Sequence, residues 1–302
     1  MTGPDGDTLA LGELLADGER RLSSAGVANA ANEARWILEE VTGLDGLELA
    51  SADGRPATVR QVARVDELVG RRAAGEPLQY VLGHWQFRRL DLAVDRRALI
   101  PRPETEEVVE LALAELDRVV GAGNGPSLAV DLGTGTGAIA LSLATERPRT
   151  SVVATDLSED ALALARANLA GVGSPARRVS LALGAWWDAL GADLAGSIDL
   201  VVSNPPYIPD ETALDPVVQD WEPEGALRSG PDGLDDLRTI VAGAPRWLRP
   251  GGALVVEIGD TQGDAVGALA GSAGLVEVAV HDDLAGRPRA LSARRPELRA
   301  GG

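Results

Sequence analysis

Two clusters in this 302-residue chain combine residue types and spacings suited to chemistry. The first is Asn204-Pro205-Pro206-Tyr207, which follows the apolar, β-prone run Ile198 to Val202. Neither proline extends a strand, so the strand ends at Asn204 and its amide is held on a stiffened backbone. In an open parallel sheet, ligands bind in the crevice at the carboxyl ends of the strands, where this amide would project. The second cluster is Asp131-Leu132-Gly133-Thr134-Gly135-Thr136-Gly137-Ala138, which closes the apolar run starting at Leu128. Glycines at a strand-to-helix turn let a ligand approach the backbone and expose N–H groups at a helix start. Gly133, Gly135 and Ala138 also satisfy the loose dinucleotide pattern G-x-G-x-x-A. Three features shift the reading: the third glycine, Gly137; Asp131 two residues before the first glycine; and Asp156 at the end of the next strand. A carboxylate beside the loop disfavours a pyrophosphate and favours a cationic, aminoacyl-bearing nucleoside, with Asp156 placed to hold its ribose.

The elements that must carry these residues follow from periodicity. Strand patterns at Leu128 to Asp131, Ser151 to Asp156, Val179 to Leu183, Ile198 to Ser203 and Ala253 to Ile258 alternate for the most part with helical patterns. The helices are expected at about Ala138 to Glu146, Glu159 to Leu169, Leu234 to Leu248 and Asp264 to Ala273. This predicts an α/β fold with a Rossmann-like, doubly wound, mostly parallel sheet. Val276 to Val280 and Arg289 to Ala293 have no helix between them and suit an antiparallel edge pair. Ahead of the sheet, Leu9 to Leu22, Asn29 to Val41 and Thr58 to Arg72 read as amphipathic helices of a small N-terminal helical domain, residues 1–76. Its charged positions read as solvated faces. Residues 77–100 carry short alternating runs, Tyr80 to Leu82, Trp85 to Phe87 and Leu90 to Val94, and read as a linking β-hairpin. Residues 101–302 would form the main domain. Within it, Ile100-Pro101-Arg102-Pro103-Glu104-Thr105-Glu106 is either a plain helix start or a wall of the site. The long segment Asp210 to Pro231 is expected to be a lid that orders around a substrate, and only the chain end, closing at Gly302, to be frayed.

Composition narrows the function. The chain is 45% hydrophobic and 25% charged, as in globular domains. It lacks cysteine, so disulfides, thiolate catalysis and Cys-based zinc sites are excluded, and His84 and His281 lack ligand spacing, so no metal is expected. No apolar run reaches the roughly 20 residues needed to cross a bilayer, and the start lacks a signal-peptide layout, which points to the cytoplasm and no membrane partner. A formal net charge of -18 argues against stable nucleic-acid binding.

The glycine loop with Asp156 resembles the class I methyltransferases. That resemblance implies S-adenosyl-L-methionine (SAM) as cofactor and S-adenosyl-L-homocysteine as product, with Gly133 to Gly137 around the methionine portion and Asp156 on the ribose. Asn204 to Tyr207 is similar to the (Asp/Asn)-Pro-Pro-(Tyr/Phe/Trp) motif of methyltransferases that alkylate planar nitrogens. Such a nitrogen has a delocalised lone pair and attacks poorly unless its N–H bonds are accepted by fixed oxygens. The carbonyls of Asn204 and Pro205 are the expected acceptors, Pro206 stiffens the turn, and Tyr207 is expected to pack flat on the planar group. Over about residues 77 to 295 the chain is similar to the bacterial peptide chain release factor glutamine methyltransferases of the HemK/PrmC type. The matching stretches include Pro77-Leu78-Gln79-Tyr80, the loop Ile100 to Glu106, Asp131 to Ala140, Val201 to Ile208, Trp221-Glu222-Pro223 and Asp283 to Arg287. This implies methylation of the glutamine of the Gly-Gly-Gln motif of release factors, their partner. A sister family acting on a ribosomal protein shares the motif but differs at the Ile100 to Glu106 loop, and base-modifying adenine-N6 enzymes share it too. One position departs from the family: Ala185 stands where an acid commonly meets the adenine amine. Adenine recognition would then rest on Trp186 or on Asp188 reaching in, with somewhat weaker cofactor binding.

Overall fold

The computed structural model describes residues 9–121 and 125–297. The frayed-end expectation and the chain start lie outside these residues. The chain divides into two compact units. The first comprises the described residues up to Gly83 together with Pro216–Trp221. It begins with α1 (Leu11–Ser24), α2 (Ala30–Thr42), α3 (Gly46–Ser51), α4 (Val59–Ala73) and α5 (Leu78–Leu82). Thr58 caps α4 reciprocally with Gln61, and Asp45 caps α3 with Glu48, so the first turns keep their orphan N–H groups bonded. Leu14, Leu22, Ile37, Leu38, Leu68 and Val69 close the core between α1, α2 and α4. Two corrections arise here. Leu78–Leu82 is a helical turn stopped by Gly83 at φ 85°, not a strand of the hairpin. The charged faces are not all solvated: Arg72 pairs with Glu33 at 2.6 Å and Arg71 with Glu76 at 2.5 Å, and Glu33, Glu76 and Arg72 are largely buried.

The second unit opens with the hairpin of β1 (His84–Phe87) and β2 (Leu90–Ala93), paired antiparallel. Its tip residue Arg88 has a φ of 52°, a strained value for a long side chain. The Arg88 guanidinium is held by Glu146, with a shortest contact of 2.6 Å, which fixes the turn. Then come α6 (Pro103–Val120), β3 (Ser127–Leu132), α7 (Ala138–Glu146), β4 (Thr150–Asp156), α8 (Glu159–Val172), β5 (Val179–Leu183) and β6 (Ile198–Ser203). The short helix α9 (Pro216–Trp221) counts with the first unit. It is followed by α10 (Asp235–Trp247), β7 (Leu248–Glu257), α11 (Gly263–Ser272), β8 (Val276–Asp282) and β9 (Pro288–Arg294).

The seven strands are ordered β5-β4-β3-β6-β7-β9-β8. Neighbours from β5 to β7 are parallel, while β9 pairs antiparallel with both β7 and β8. The expected doubly wound, mostly parallel sheet with an antiparallel edge is therefore present. Helices cover both faces: α6 and α7 with hairpin residues Phe87, Leu90 and Leu92 on one side, α10 and α11 on the other. Burial on both faces explains why β6 is buried along its whole length. It also explains why α7 is apolar almost all round rather than amphipathic. The strand order reverses between β3 and β6, and the crevice at their carboxyl ends is where a doubly wound sheet binds ligands.

Candidate active site

The turn from β3 into α7 uses three glycines at positive φ: Gly133 at 74°, Gly135 at 55° and Gly137 at 87°. The N–H groups of Gly133 and Thr134 bond the Thr155 carbonyl at 2.9 and 2.8 Å, and Gly135 N–H donates to Asp156 Oδ2 at 2.9 Å. Asp156 therefore fastens the loop while lining the cavity, and burial raises its pKa. Asn168, which has no local sequence signature, bonds the Thr136 carbonyl at 2.9 Å and both backbone groups of Ala93, tying loop to hairpin.

Above these strand ends lies a cavity of about 320 Å³, of a size suited to a small-molecule ligand. Of the residues expected at a site, Gly133, Thr134, Gly135, Thr136, Asp156, Trp186, Asn204 and Pro206 line it. Four do not. Gly137 starts α7 and Asp131 is wholly buried behind the loop, accepting from Thr134 Oγ1 at 2.6 Å and Ala140 N–H at 3.1 Å. Pro205 is buried, and the Tyr207 hydroxyl is drawn inward to Glu257, so Tyr207 does not present a face to the cavity. Asp188 does not reach the wall either. Asp236 does, from the first turn of α10, and accepts the Trp186 indole N–H at 3.0 Å. Trp187 instead stacks on Trp247 with ring centroids 6.0 Å apart.

A buried chain of hydrogen bonds stands behind Asn204. Its Nδ2 donates to Thr105 Oγ1 at 3.1 Å, Thr105 Oγ1 donates to Glu257 Oε2 at 2.7 Å, and Tyr207 Oη donates to Glu257 Oε1 at 3.2 Å. Thr105 belongs to the Ile100 to Glu106 stretch, so this stretch is both a helix start and a wall. Its other end is anchored by Glu222, which accepts Ile100 N–H at 3.2 Å and an Arg102 N–H at 2.6 Å. The Asp210 to Pro231 segment includes α9, and its Arg228 forms a parallel bridge to Ile208 just before it. The one signal for Glu257 in the sequence is a carboxylate inside an otherwise apolar strand.

Burial dominates the acidities. It pushes Asp131 and Glu257 up to about 7 and raises the Tyr207 phenol further above its ordinary value. A carboxyl whose folded pKa is raised stabilises the fold fully below its unfolded pKa, and that contribution is lost as pH rises through the folded value. For Asp131 the window runs from about 4 to about 7. Asp131→Asn stays neutral and keeps an acceptor for Thr134. Chemical denaturation at several pH values should show the variant losing less stability than wild type across that window, by at most roughly 4 kcal/mol. Equal slopes would remove this account of Asp131.

Among the described residues no group of His, Cys, Asp or Glu is arranged to hold a metal ion, and no helix is long and apolar enough to cross a membrane. Residues 13–83 match the PrmC N-terminal domain family, and residues 120–221 match the methyltransferase small domain family. The fold is shared with a methyltransferase from Pyrococcus furiosus, at a TM-score of 0.52 and 17% identity over 76% of this chain and 99% of that one. The fold is thus the Rossmann-like one of methyltransferases. The chain is 44% identical over 278 residues to the release factor glutamine methyltransferase of Cereibacter sphaeroides, covering 91% of this chain and 95% of that relative. Its match to the same-named protein of Streptomyces coelicolor is 44% over 286 residues, 93% of this chain and 96% of that one. The chain belongs to the release factor glutamine methyltransferase family.

Proposed function

We propose that this enzyme transfers a methyl group from SAM to the side-chain amide nitrogen of the glutamine in the Gly-Gly-Gln motif of peptide chain release factors. The observation that carries the reading is the Asn204 amide at the end of β6. Its nitrogen is committed to Thr105, which leaves Oδ1 as the atom available to the cavity it lines. A fixed acceptor of that kind is what a planar amide nitrogen requires.

The lining residues fit a cationic nucleoside. A side chain at Gly133 would begin 3.2 Å from the Trp186 ring, so the missing Cβ leaves the backbone open on the cavity side. Gly133 to Thr136 would hold the methionine portion, Asp156 the ribose, and Trp186 with Asp236 the adenine side. The Asp236 carboxylate brings to this wall the charge that Ala185 lacks. Asp131 and Gly137 would act from behind, by shaping the loop. When bound, SAM supplies an electrophilic methyl group on a sulfonium.

The chain's own residues supply orientation. Asn204 Oδ1 would accept one N–H of the glutamine amide from the cavity wall, and the carbonyl of Pro205, a residue set behind that wall, would have to be reached by the other, which turns the nitrogen lone pair toward the methyl group. No charged base is needed beforehand, because the nitrogen becomes acidic as it is alkylated. Tyr207 serves by bracing this turn through Glu257. The N-terminal helical domain, 1–76, would grip the release factor away from its glutamine, with 77–100 as linker and 101–302 as the transferring domain. A net charge of -18 agrees with a protein substrate rather than stable nucleic-acid binding, and the reading implies work in the cytoplasm without a membrane partner.

Methyl-labelled SAM offered separately with release factor, ribosomal protein and total RNA tests the reading. Label is expected in the release factor and lost when the Gly-Gly-Gln glutamine is replaced. Label confined to RNA or to the ribosomal protein, or persisting in the replaced factor, overturns it.

A further inference from the structure

Glu257 ends β7 with 1% of its surface exposed, a place where an apolar residue would avoid the desolvation of a carboxylate. Both its oxygens are in use, one by Thr105 and one by Tyr207. A threonine hydroxyl has a single proton and can otherwise only accept. With that proton given to Glu257, Thr105 Oγ1 accepts from Asn204, so the amide must present Nδ2 to it and turn Oδ1 away. The two faces of an asparagine amide have opposite polarity, and the wrong one would set N–H against the N–H of a substrate amide.

We propose that Glu257 is a positioning residue which, in its ionised form, fixes the polarity of the Glu257–Thr105–Asn204 chain and so keeps Asn204 Oδ1 facing the glutamine amide. The inference rests on the functional reading above and adds a protonation requirement to it. An ionised carboxylate accepts from both hydroxyls. A protonated one carries its proton on Oε2, because the Tyr207 hydroxyl has Glu257 as its acceptor and keeps Oε1, whereas Thr105 can turn to another; the acid then donates to Thr105 and turns that hydroxyl toward Asn204, which offers Oδ1 to Thr105 and Nδ2 to the substrate. The charged and titratable groups facing Glu257 are Glu104 from α6, Tyr207 from the turn after β6 and Arg289 from β9, with Arg102 near Tyr207. Burial and Glu104 favour the protonated acid, whereas Thr105, Arg289 and Tyr207 favour the ionised one, and the balance falls at about 7. The productive orientation is therefore gained as pH rises through about 7 and lost below it.

The test measures kcat of the full-length protein on release factor between about pH 5.5 and 8.5, with both substrates saturating. Saturating SAM separates this titration from that of Asp131, which acts through the glycine loop. Wild-type kcat should climb roughly tenfold per unit toward a plateau above about 7. Glu257→Gln keeps its carbonyl oxygen for the Tyr207 hydroxyl and sets its NH2 group, a donor at every pH, against Thr105, so its profile should be flat and at least about tenfold below the plateau. The Michaelis constant for release factor and calorimetric binding of S-adenosyl-L-homocysteine should change less than about twofold. Thr105→Val, which cuts the chain and keeps Glu257, should flatten the profile as well and serves if Glu257→Gln does not fold. A flat wild-type profile, or either variant retaining the wild-type limb, overturns the proposal. Label entering wild-type release factor at high pH is the separate control for the functional reading, so the two can fail independently.

Discussion

Asn204→Ala lowers kcat for release factor methylation by roughly 10²- to 10³-fold, the loss seen when one preorganised polar partner of a reacting group is removed. The Michaelis constants for both substrates should move far less. The structure separates this effect from a loss of folding. Asn204 makes one side-chain hydrogen bond, at 3.1 Å to Thr105, and a bond of that kind contributes about 1 kcal/mol. The prolines that shape the turn remain, Thr105 keeps its bond to Glu257, and the glycine loop does not depend on Asn204. Alanine thus removes the acceptor and leaves its surroundings. Single-turnover transfer with pre-bound SAM, run beside calorimetric binding of the product cofactor, is the measurement. A rate within tenfold of wild type, or an equal loss in cofactor binding, would assign Asn204 to binding rather than to orientation of the nitrogen.

The parts of this site that the sequence made legible are those written locally. The glycine loop announces itself because Gly133, Gly135 and Gly137 lie within one turn and each adopts a φ that other residues resist. Asn204 is legible because two prolines end β6 at a defined residue. The sheet is legible because strands buried on both faces read as continuous apolar runs. What escaped has no local signature. Glu257 meets Thr105 across 152 positions, and Asn168 meets Ala93 across 75. Tyr207 turns away from the cavity because a buried carboxylate, not visible as its neighbour in the sequence, takes its hydroxyl. Asp131 has the right spacing to line the cavity, yet Thr134 and Ala140 claim it from behind. Short elements failed for a different reason: Leu78–Leu82 has five residues, too few to separate a helical from an alternating pattern. β7 begins at Leu248 rather than at Ala253 because the irregular pairing with β6 accommodates Arg249 to Gly252.

The same dependence on distant neighbours sets the second large effect. Gly233 stands before α10 with a φ of 74°, and a Cβ built there would lie 2.3 Å from the Tyr207 carbonyl oxygen and 3.0 Å from the Pro209 nitrogen. Both are backbone atoms of the turn that carries Asn204, so no rotamer change relieves the contact. Gln262 Nε2 also binds the Tyr207 carbonyl at 2.9 Å and the Gly233 carbonyl at 3.1 Å, so the segments cannot part without breaking this clamp. Gly233→Ala therefore combines the left-handed penalty of roughly 1–2 kcal/mol with an overpacking penalty of about 1–3 kcal/mol. At about 2–4 °C per kcal/mol the melting temperature should fall by roughly 5–15 °C. Gly286 provides the comparison: its φ is 75°, and a Cβ there meets nothing within 4 Å. Gly286→Ala should show the conformational penalty alone and near-normal kcat, while Gly233→Ala loses kcat even at temperatures where it remains folded. If the two variants lose equal stability and equal activity, the contact with Tyr207 does not set the position of the Asn204 turn, and its geometry must be held by β6 and the prolines alone.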